Sequence, residues 1–200
     1  MRPDVAILNS GGANIASLRF ALERLGASAT LTTEPRLLRS ASHVILPGVG
    51  AAADAMTRLR ATGLAEQIGE LTQPVLGICL GLQLFAVRSE ENDATCLGLI
   101  PGVSRKLTAS AKLPVPNMGW CALSKRADHP LLEGIDTGSW FYFVHSYALP
   151  VAGYTIATAE HTTAFSAVVA RGNVMATQFH PERSARAGAT LLANFLRLPG

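Results

Sequence analysis

A cysteine between two glycines is the first feature of this 200-residue sequence that points to chemistry. The motif Gly77-Ile78-Cys79-Leu80-Gly81 follows a strand-like run, 75–78, and leads into a helical pattern over 81–87. Glycines two positions to either side let a strand-to-helix turn bend sharply and lift the nucleophile above the sheet edge. The turn also places Cys79 at a helix N-terminus, where the helix dipole favours the reactive thiolate. We therefore predict that Cys79 is a catalytic nucleophile.

A histidine and a glutamate near the end of the sequence can supply the proton transfers that a thiolate nucleophile needs. The motif His180-Pro181-Glu182 follows a predicted strand over 174–178, at the edge where open α/β sheets place their sites. Acyl transfer by a thiolate requires a base, and the base requires a carboxylate that fixes its tautomer. Because Pro181 stiffens the turn, Glu182 can fold back on the imidazole. We predict that His180 is the general acid and base and that Glu182 orients it.

Backbone N–H groups beside Cys79 are candidates for an oxyanion hole. The tetrahedral oxygen formed in acyl transfer needs preorganised donors, each typically worth about 3–4 kcal/mol of the barrier. The N–H of Leu80 is one candidate. The loop Pro47-Gly48-Val49-Gly50 offers a second, at Val49, because its glycines let the backbone approach the site or flip.

The pattern of elements predicts an α/β fold: an open mixed, mostly parallel sheet with helices on both faces. Short apolar runs alternate with helical patterns in the first half, which is typical of parallel strands covered by helices. Proline-punctuated pieces between residues 101 and 116 predict loops and edge strands on this sheet. Further strands are predicted at 140–144, 154–159, 165–170 and 174–178, the last two joined in a hairpin by Arg171-Gly172-Asn173. No repeat or linker interrupts the sequence, so residues 1–200 are predicted to form a single domain.

The terminal segment, 185–196, is predicted to be a helix that turns one apolar face toward the core. The residues predicted to form that face are Ala189, Leu192, Phe195 and Leu196.

Composition excludes several classes of protein. Charged residues are 16% and apolar residues 48% of the sequence, and a formal charge of +3 without Lys/Arg clusters argues against a nucleic-acid partner. The most apolar stretch, 74–87, contains Gln83 and is shorter than the roughly 20 residues that cross a bilayer, so no membrane partner is expected. Three cysteines, an odd set without a Cys-x-x-Cys pair, favour a reducing compartment and a cytoplasmic protein. No His/Cys/Asp spacing suggests a metal site.

The three motifs together resemble the class I, or triad-type, glutamine amidotransferases, and they occur in that family's order. The resemblance implies that glutamine is hydrolysed to glutamate through a γ-glutamyl thioester on Cys79, without a cofactor. It also implies which residues surround the glutamine, with Glu91 suited by its charge to the ammonium group of the substrate. These residues are Gly48, Gly50, Gln83, Glu91, Ser146 and Tyr147.

Three further stretches resemble, within that family, the glutaminase subunits that serve histidine biosynthesis. They are 98–102, 115–120 and 142–147. The resemblance implies a heterodimer in which ammonia passes to a cyclase/synthase subunit with a (β/α)₈-barrel fold. That partner would combine the ammonia with a ribulosyl-formimino carboxamide ribotide, forming imidazole glycerol phosphate and aminoimidazole carboxamide ribotide. A barrel typically takes about 250 residues, so it has to be a separate chain.

The partner surface is expected, by the same resemblance, at Asn14, Trp120, Tyr142 and Arg183. Trp120, Tyr142 and His145 invite interface roles because aromatic residues are enriched at interface hot spots, although an aromatic residue in a strand is more often part of the core. Some positions depart from the family pattern without touching the three predicted catalytic residues. The loop 9–14 lacks the common Asp-Tyr-Gly, Asn117 stands where His is common, Cys121 where Asn is common, and Arg183 where Lys is usual.

Two alternatives remain open at this level. One is the glutaminase of another pathway, such as pyridoxal phosphate, anthranilate or purine synthesis. The Val-Gly that follows Pro47-Gly48 and the stretches around Trp120 and Tyr142 speak against it. The other is a binding or regulatory module that keeps the fold without activity, which the presence of Cys79, His180 and Glu182 argues against.

Overall fold

Short strands and helices alternate along the first half of the chain in the computed structural model, which describes residues 3–8 and 15–200. In these residues the helices are α1 (Ile15–Arg24), α2 (Pro35–Ser40), α3 (Ala52–Ala61), α4 (Leu64–Ile68), α5 (Leu80–Phe85) and α6 (Ala185–Arg197). The strands are β1 (Asp4–Leu8), β2 (Ser28–Thr32), β3 (His43–Gly48), β4 (Val75–Cys79), β5 (Arg88–Ser89), β6 (Ala94–Thr95), β7 (Val103–Lys106), β8 (Asn117–Ala122), β9 (Ser124–Lys125), β10 (Trp140–His145), β11 (Tyr147–Ala148), β12 (Thr155–Glu160), β13 (Ala164–Arg171) and β14 (Val174–Thr177).

An eight-stranded sheet lies at the centre of the described structure, in the order β2-β1-β3-β4-β14-β13-β12-β9. The first five of these strands are parallel neighbours, and the other three pair antiparallel. The predicted hairpin of β13 and β14 turns at Gly172, whose φ of +59° lies in the left-handed region that favours glycine. The predicted fold class, with an open mixed and mostly parallel sheet, is confirmed.

Two apolar layers cover the two faces of this sheet, because successive residues of a strand point to opposite sides. Val5 and Ile7 of β1 pack in the layer that contains α1 and α6, whereas Ala6 and Leu8 pack in the layer that contains α3, α4 and α5. Helices therefore cover both faces, as predicted. Since β3, β4 and β14 are parallel neighbours, their carboxyl ends meet at one edge of the sheet. The three motifs singled out in the sequence lie at these ends.

The middle of the chain differs from the prediction, because most of its strands do not join the main sheet. Of the strands from β5 to β11, only β9 joins the main sheet, at one of its two edges. The strands β8 and β10 form a separate antiparallel ribbon. A small four-stranded sheet contains β5, β6, β7 and β11. The reason is the alternating pattern of β10, whose buried Phe141 and Phe143 pack with Phe179 at 4.1 and 5.5 Å between ring centroids. These contacts hold the ribbon against one face of the sheet rather than at its edge.

The terminal helix forms as predicted, but its buried face is shifted. Ala189 is exposed, and Gly188 and Leu191 are buried together with Leu192, Phe195 and Leu196. The shift arises because the first turn of α6 packs closely on the segment before it: a Cβ at Gly188 would overlap the Pro181 carbonyl oxygen. No helix within residues 3–8 and 15–200 is long and apolar enough to cross a membrane.

Replacement of Phe143 by alanine tests whether the aromatic contacts hold the ribbon in place. Phe143 is fully buried and its ring meets those of Phe165 and Phe179 edge-on, so Phe143→Ala should cost about 3–5 kcal/mol of the free energy of unfolding. Phe20→Ala is the matched control, because Phe20 is 51% exposed, and it should cost less than about 1 kcal/mol. Urea unfolding followed by circular dichroism measures both, and equal losses would contradict the packing described here.

Candidate active site

The turn between β4 and α5 holds Cys79 in a conformation that few residues adopt. Cys79 has φ +55° and ψ −103°, outside the regions favoured by L-residues, and such strain typically costs about 1–3 kcal/mol. The flanking glycines are required by close approach: a Cβ at Gly77 would lie 2.7 Å from the Phe85 ring, and one at Gly81 would overlap the Leu46 carbonyl oxygen. The predicted sharp turn is therefore present, and Cys79 lies at the N-terminus of α5.

Glu182 lies on the 3₁₀ turn Pro181–Arg183, and His180 is the N-cap residue of this turn, a short distance after the end of β14. Glu182 Oε1 lies 2.9 Å from Nδ1 of His180, and both side chains are nearly buried. This contact fixes the tautomer, because the Nδ1–H donates to the carboxylate and leaves Nε2 for another partner. The second carboxylate oxygen of Glu182 is buried and has no hydrogen-bond partner among the described residues.

The protonation of His180 is set by its two acidic neighbours. Burial alone lowers the pKa of His180, but the neighbouring Cys79 sulfur, the hydrogen bond that His180 donates to Glu182 and the charges of both groups outweigh it and raise the pKa to about 10. The imidazole therefore carries its second proton at neutral pH. A proton is already in place next to Cys79 for transfer to a leaving group.

A cavity of about 230 Å³ opens beside Cys79 and His180. It is smaller than the roughly 300–1,000 Å³ typical of sites for drug-sized molecules, so it suits a ligand no larger than an amino acid. Five of the six residues predicted to surround a substrate line it, together with both residues of the predicted oxyanion hole: Gly50, Gln83, Glu91, Ser146 and Tyr147, with Val49 and Leu80.

Gly48, the sixth predicted substrate residue, does not line this cavity but lies beside it. It pairs with Cys79 across the β3–β4 register, and a Cβ at this position would lie 3.0 Å from the Cβ of Leu80. Glycine therefore lets the loop after β3 approach the first turn of α5. The two backbone segments predicted to form the oxyanion hole are brought next to each other by this approach.

Two polar side chains in the cavity wall have different surroundings. Oε1 of Gln83 is buried without a hydrogen-bond partner among the described residues, in a residue that lines the cavity. Oε2 of Glu91 accepts a hydrogen bond from the N–H of Ala52, at 2.9 Å, in the first turn of α3. The free N–H groups of a helix N-terminus need acceptors, so this contact holds the Glu91 side chain at the cavity wall.

The class I glutamine amidotransferase family model matches residues 6–198 of the chain. Curated relatives include the imidazole glycerol phosphate synthase subunit HisH of Xanthomonas axonopodis pv. citri, 50% identical over 98% of both chains. The HisH subunit of Vibrio cholerae is 45% identical over 99% of this chain and 100% of its own.

The chain belongs to the class I glutamine amidotransferases. Within this family, the two relatives at 50% and 45% identity are HisH subunits of imidazole glycerol phosphate synthases. Solved structures agree on the fold: a crystal structure of a glutamine amidotransferase matches with a TM-score of 0.75 and 20% identity over 97% of both chains. PurLQS from Thermotoga maritima matches with a TM-score of 0.72 and 18% identity over 98% of both chains.

Three of the four residues predicted for the partner surface of this amidotransferase cluster together, two on the ribbon and Arg183 on the 3₁₀ turn next to it. Trp120 and Tyr142 pair directly across β8 and β10, with ring centroids 5.9 Å apart, and the guanidinium of Arg183 lies 4.5 Å from the centre of the Tyr142 ring. Trp120 is 47% exposed. Asn14, the fourth, and the rest of the loop 9–14 lie outside the described residues.

His145 lies inside the protein and not at its surface, so the expectation of an interface role for His145 is wrong. It is 5% exposed and lines the cavity, because β10 turns alternate side chains inward. Its Nδ1 lies 2.9 Å from the Tyr147 carbonyl oxygen and its Nε2 lies 3.0 Å from the side-chain nitrogen of Asn117. The Nδ1–H therefore donates to the carbonyl, and Nε2 accepts from the amide. In the sequence, only the alternation along β10, with Phe141, Phe143 and His145 at every second position, could have indicated that His145 points inward.

Substitution of Gly81 tests the close packing of the turn that carries Cys79. A methyl group there would overlap a backbone carbonyl, which no side-chain rotation relieves, so Gly81→Ala should lower the free energy of unfolding by at least about 3 kcal/mol. Gly69→Ala is the control, because Gly69 has a helical φ of −69° and its nearest neighbour would be 3.6 Å away, and its effect should stay below about 1 kcal/mol. Chemical unfolding measures both, and a tolerated Gly81→Ala would contradict the packing.

The buried His145 makes stability depend on pH. Burial lowers the pKa of His145 to about 4, the bond to the Tyr147 carbonyl offsets part of this, and the charges of His161 and His180 add to it. The unfolded state binds a proton near pH 6.5 and the folded state only near 4, so about 3 kcal/mol of stability present above pH 6.5 is lost as the pH falls toward 4. In urea unfolding between pH 4.5 and 7.5, His145→Asn should flatten the pH dependence. His161→Asn, at a partly exposed position, should retain the slope, and a slope unchanged by His145→Asn would be evidence against a neutral His145.

Proposed function

We propose that this chain is the glutaminase subunit of an imidazole glycerol phosphate synthase and acts in histidine biosynthesis. The observation that carries the proposal is the Cys79–His180–Glu182 set beside a cavity the size of an amino acid. The relatives at 45–50% identity, which carry the name of that synthase's HisH subunit, support the choice of pathway. We further propose that residues 1–200 form one domain, because both apolar layers share a single sheet.

Glutamine hydrolysis begins with attack of the Cys79 sulfur on the side-chain carbonyl carbon of glutamine. Negative charge then develops on the carbonyl oxygen, and the N–H groups of Leu80 and Val49 stabilise it. His180 donates its proton to the amide nitrogen as the carbon–nitrogen bond breaks, so ammonia leaves and a γ-glutamyl thioester remains on Cys79. Glu182 keeps the imidazole oriented and stabilises its positive charge through the 2.9 Å contact with Nδ1.

Water completes the reaction by attacking the thioester. His180, now neutral, takes a proton from the water as the oxygen bonds to the acyl carbon. The carbon–sulfur bond then breaks, the thiolate re-forms beside the imidazolium, and glutamate leaves. The sum is glutamine plus water giving glutamate plus ammonia, and it needs no cofactor.

Recognition of glutamine is assigned to the polar groups of the cavity wall. Glu91, held by the first turn of α3, binds the ammonium group of the substrate through its remaining oxygen. The unpartnered Oε1 of Gln83 accepts a further hydrogen bond. Ser146 and Tyr147, which follow His145 in the chain, also line the cavity. Gly50 lines the cavity, and Gly48 supports it by letting the loop after β3 approach α5.

Ammonia passes, in this proposal, to a (β/α)₈-barrel subunit bound as a heterodimer at the surface formed by Trp120, Tyr142 and Arg183. Two aromatic rings in edge-to-face contact and a guanidinium give this surface the composition of an interface hot spot. The barrel would use ammonia and the carboxamide ribotide to form imidazole glycerol phosphate and aminoimidazole carboxamide ribotide. The three free cysteines are consistent with a cytoplasmic location for this complex.

The reconstituted complex with the barrel subunit tests the proposal. Cys79→Ala should lower glutamine-dependent synthesis at least about 1,000-fold, because no thioester can form, while synthesis from added ammonia stays within about twofold of the wild type. Cys96→Ala is the matched control, because Cys96 is buried away from the cavity, where burial raises the pKa of its thiol to about 11.

Glutamate release measured with and without the barrel and its ribotide completes the test. We expect little hydrolysis by the isolated chain and strong activation in the complex. Full activity of the isolated chain that ignores the barrel would contradict the assignment to this synthase, and loss of ammonia-dependent synthesis in Cys79→Ala would mean that the substitution acts through the interface or the fold. A Cys79 that never reacts with a glutamine-like electrophile in the complex would instead indicate an inactive regulatory module.

A further inference from the structure

Ser184 stands at the N-cap position of α6 but does not cap the helix. Serine is among the residues that best satisfy the free N–H groups of a helix N-terminus, and such a bond is typically worth about 1 kcal/mol. Ser184 makes no such bond, and its side chain is almost fully buried, with the residue 1% exposed. The next residue, Ala185, has a positive φ of +48°, a strained conformation for a residue with a side chain. Something other than helix capping therefore fixes this hydroxyl.

The hydroxyl of Ser184 instead bridges two backbone groups on different elements. It donates a hydrogen bond to the His180 carbonyl oxygen at 2.7 Å and accepts one from the N–H of Tyr142, on β10, at 3.0 Å. The N–H of His180 in turn donates to the Tyr142 carbonyl oxygen at 3.0 Å. Two paired residues in an antiparallel ladder exchange two direct bonds. Here one bond between His180 and Tyr142 is direct, and the other passes through the Ser184 hydroxyl.

The strand β14 and its pairing with β4 both end at Thr177, so His180 lies beyond the hydrogen bonds of the sheet. The bridge therefore helps to determine where the His180 backbone lies. Beyond that point, His180 is tied to the rest of the fold by Tyr142 and by its own short turn. Tyr142 belongs to the ribbon whose next inward-facing residue, Phe143, is fully buried against Phe179. The bridge therefore ties His180 to a rigid strand.

We propose that Ser184 is a positioning residue for His180: its hydroxyl, by relaying the second bond to Tyr142, holds the imidazole at the separation from Cys79 that proton transfer requires. The role in hydrolysis rests on the proposed glutaminase function, whereas the effect on the position of the imidazole does not. Ser184 touches neither the substrate nor the reacting atoms. Loss of its hydroxyl keeps the chemical groups of Cys79, His180 and Glu182 but removes one of the hydrogen bonds that fix the position of the histidine.

The test compares Ser184→Ala with Ser166→Ala in the complex with the barrel subunit. Ser166 is a matched control, because it is fully buried on β13 and its hydroxyl also donates to a backbone carbonyl, that of Pro150, at 2.8 Å. Misplacement of a catalytic group by about 1 Å can cost about 100-fold, so Ser184→Ala should lower kcat for glutamine hydrolysis about ten- to 100-fold with little change in KM. Ser166→Ala should stay within about twofold, since its bond lies outside the site.

A second readout follows the imidazole itself, independently of activity. Nitrogen NMR of labelled histidine should show the pKa of His180 falling toward its ordinary value in Ser184→Ala, because contact with Cys79 and Glu182 raises it, and staying unchanged in Ser166→Ala. Should Ser184→Ala fail to fold, Ser184→Cys carries both measurements, since its thiol has a similar size but makes only weak hydrogen bonds.

The outcomes separate the inference from the proposed function. A lowered kcat and a lowered His180 pKa in the Ser184 variant alone support the positioning role. An unchanged pKa and kcat, or equal losses in both variants that follow their loss of stability, would overturn it. A wild-type complex without glutaminase activity would overturn the proposed function, and the NMR titration would still decide whether Ser184 sets the position of His180.

Discussion

The close approach of α5 to β3 and β4 is the constraint on which the site depends. The Leu46 carbonyl lies where a side chain at Gly81 would be, and the Phe85 ring occupies the space next to Gly77. With both neighbours this close, the chain passes from strand to helix through a residue with a positive φ, and that residue is Cys79. Strain of this kind persists only where the surrounding structure determines it fully. The buried strands on either side of β4 supply that rigidity.

The pKa values of two histidines at the cavity are shifted in opposite directions by the groups around them. His180 lies beside the Cys79 sulfur and the Glu182 carboxylate, and interaction with these two groups raises its pKa to about 10 despite burial. His145 faces an amide and a backbone carbonyl, which cannot compensate for burial, and its pKa falls to about 4. One imidazole therefore carries a transferable proton at neutral pH, and the other stays neutral as part of the wall. Environments that give two groups of the same kind very different pKa values are typical of acid–base sites.

The ribbon of β8 and β10 connects surface, cavity and catalytic histidine within one element. Tyr142 presents its ring to Trp120 and Arg183 near the surface, while its backbone binds His180 directly and through Ser184. At the end of the same strand, His145 forms part of the cavity wall. Because strand residues alternate in direction, a single short strand can serve both the outside and the inside of the site.

The sequence alone determined the fold class and the local chemistry of this protein. Gly77 and Gly81 predict the sharp turn at Cys79, and Pro181 predicts a turn that brings Glu182 back to His180, because both features depend on the backbone preferences of neighbouring residues. Alternating apolar runs predict the sheet, since burial of both strand faces leaves a periodic pattern.

Only the tertiary structure decided which distant segments meet. Strand pairing places β14 beside β4 and so brings His180 to Cys79 from the far end of the chain. Packing of Phe141 and Phe143 on Phe179 takes the ribbon out of the main sheet, turns His145 inward and leaves Ser184 to bridge His180 and Tyr142. These outcomes follow from contacts between residues remote in sequence, whose geometry no local pattern records.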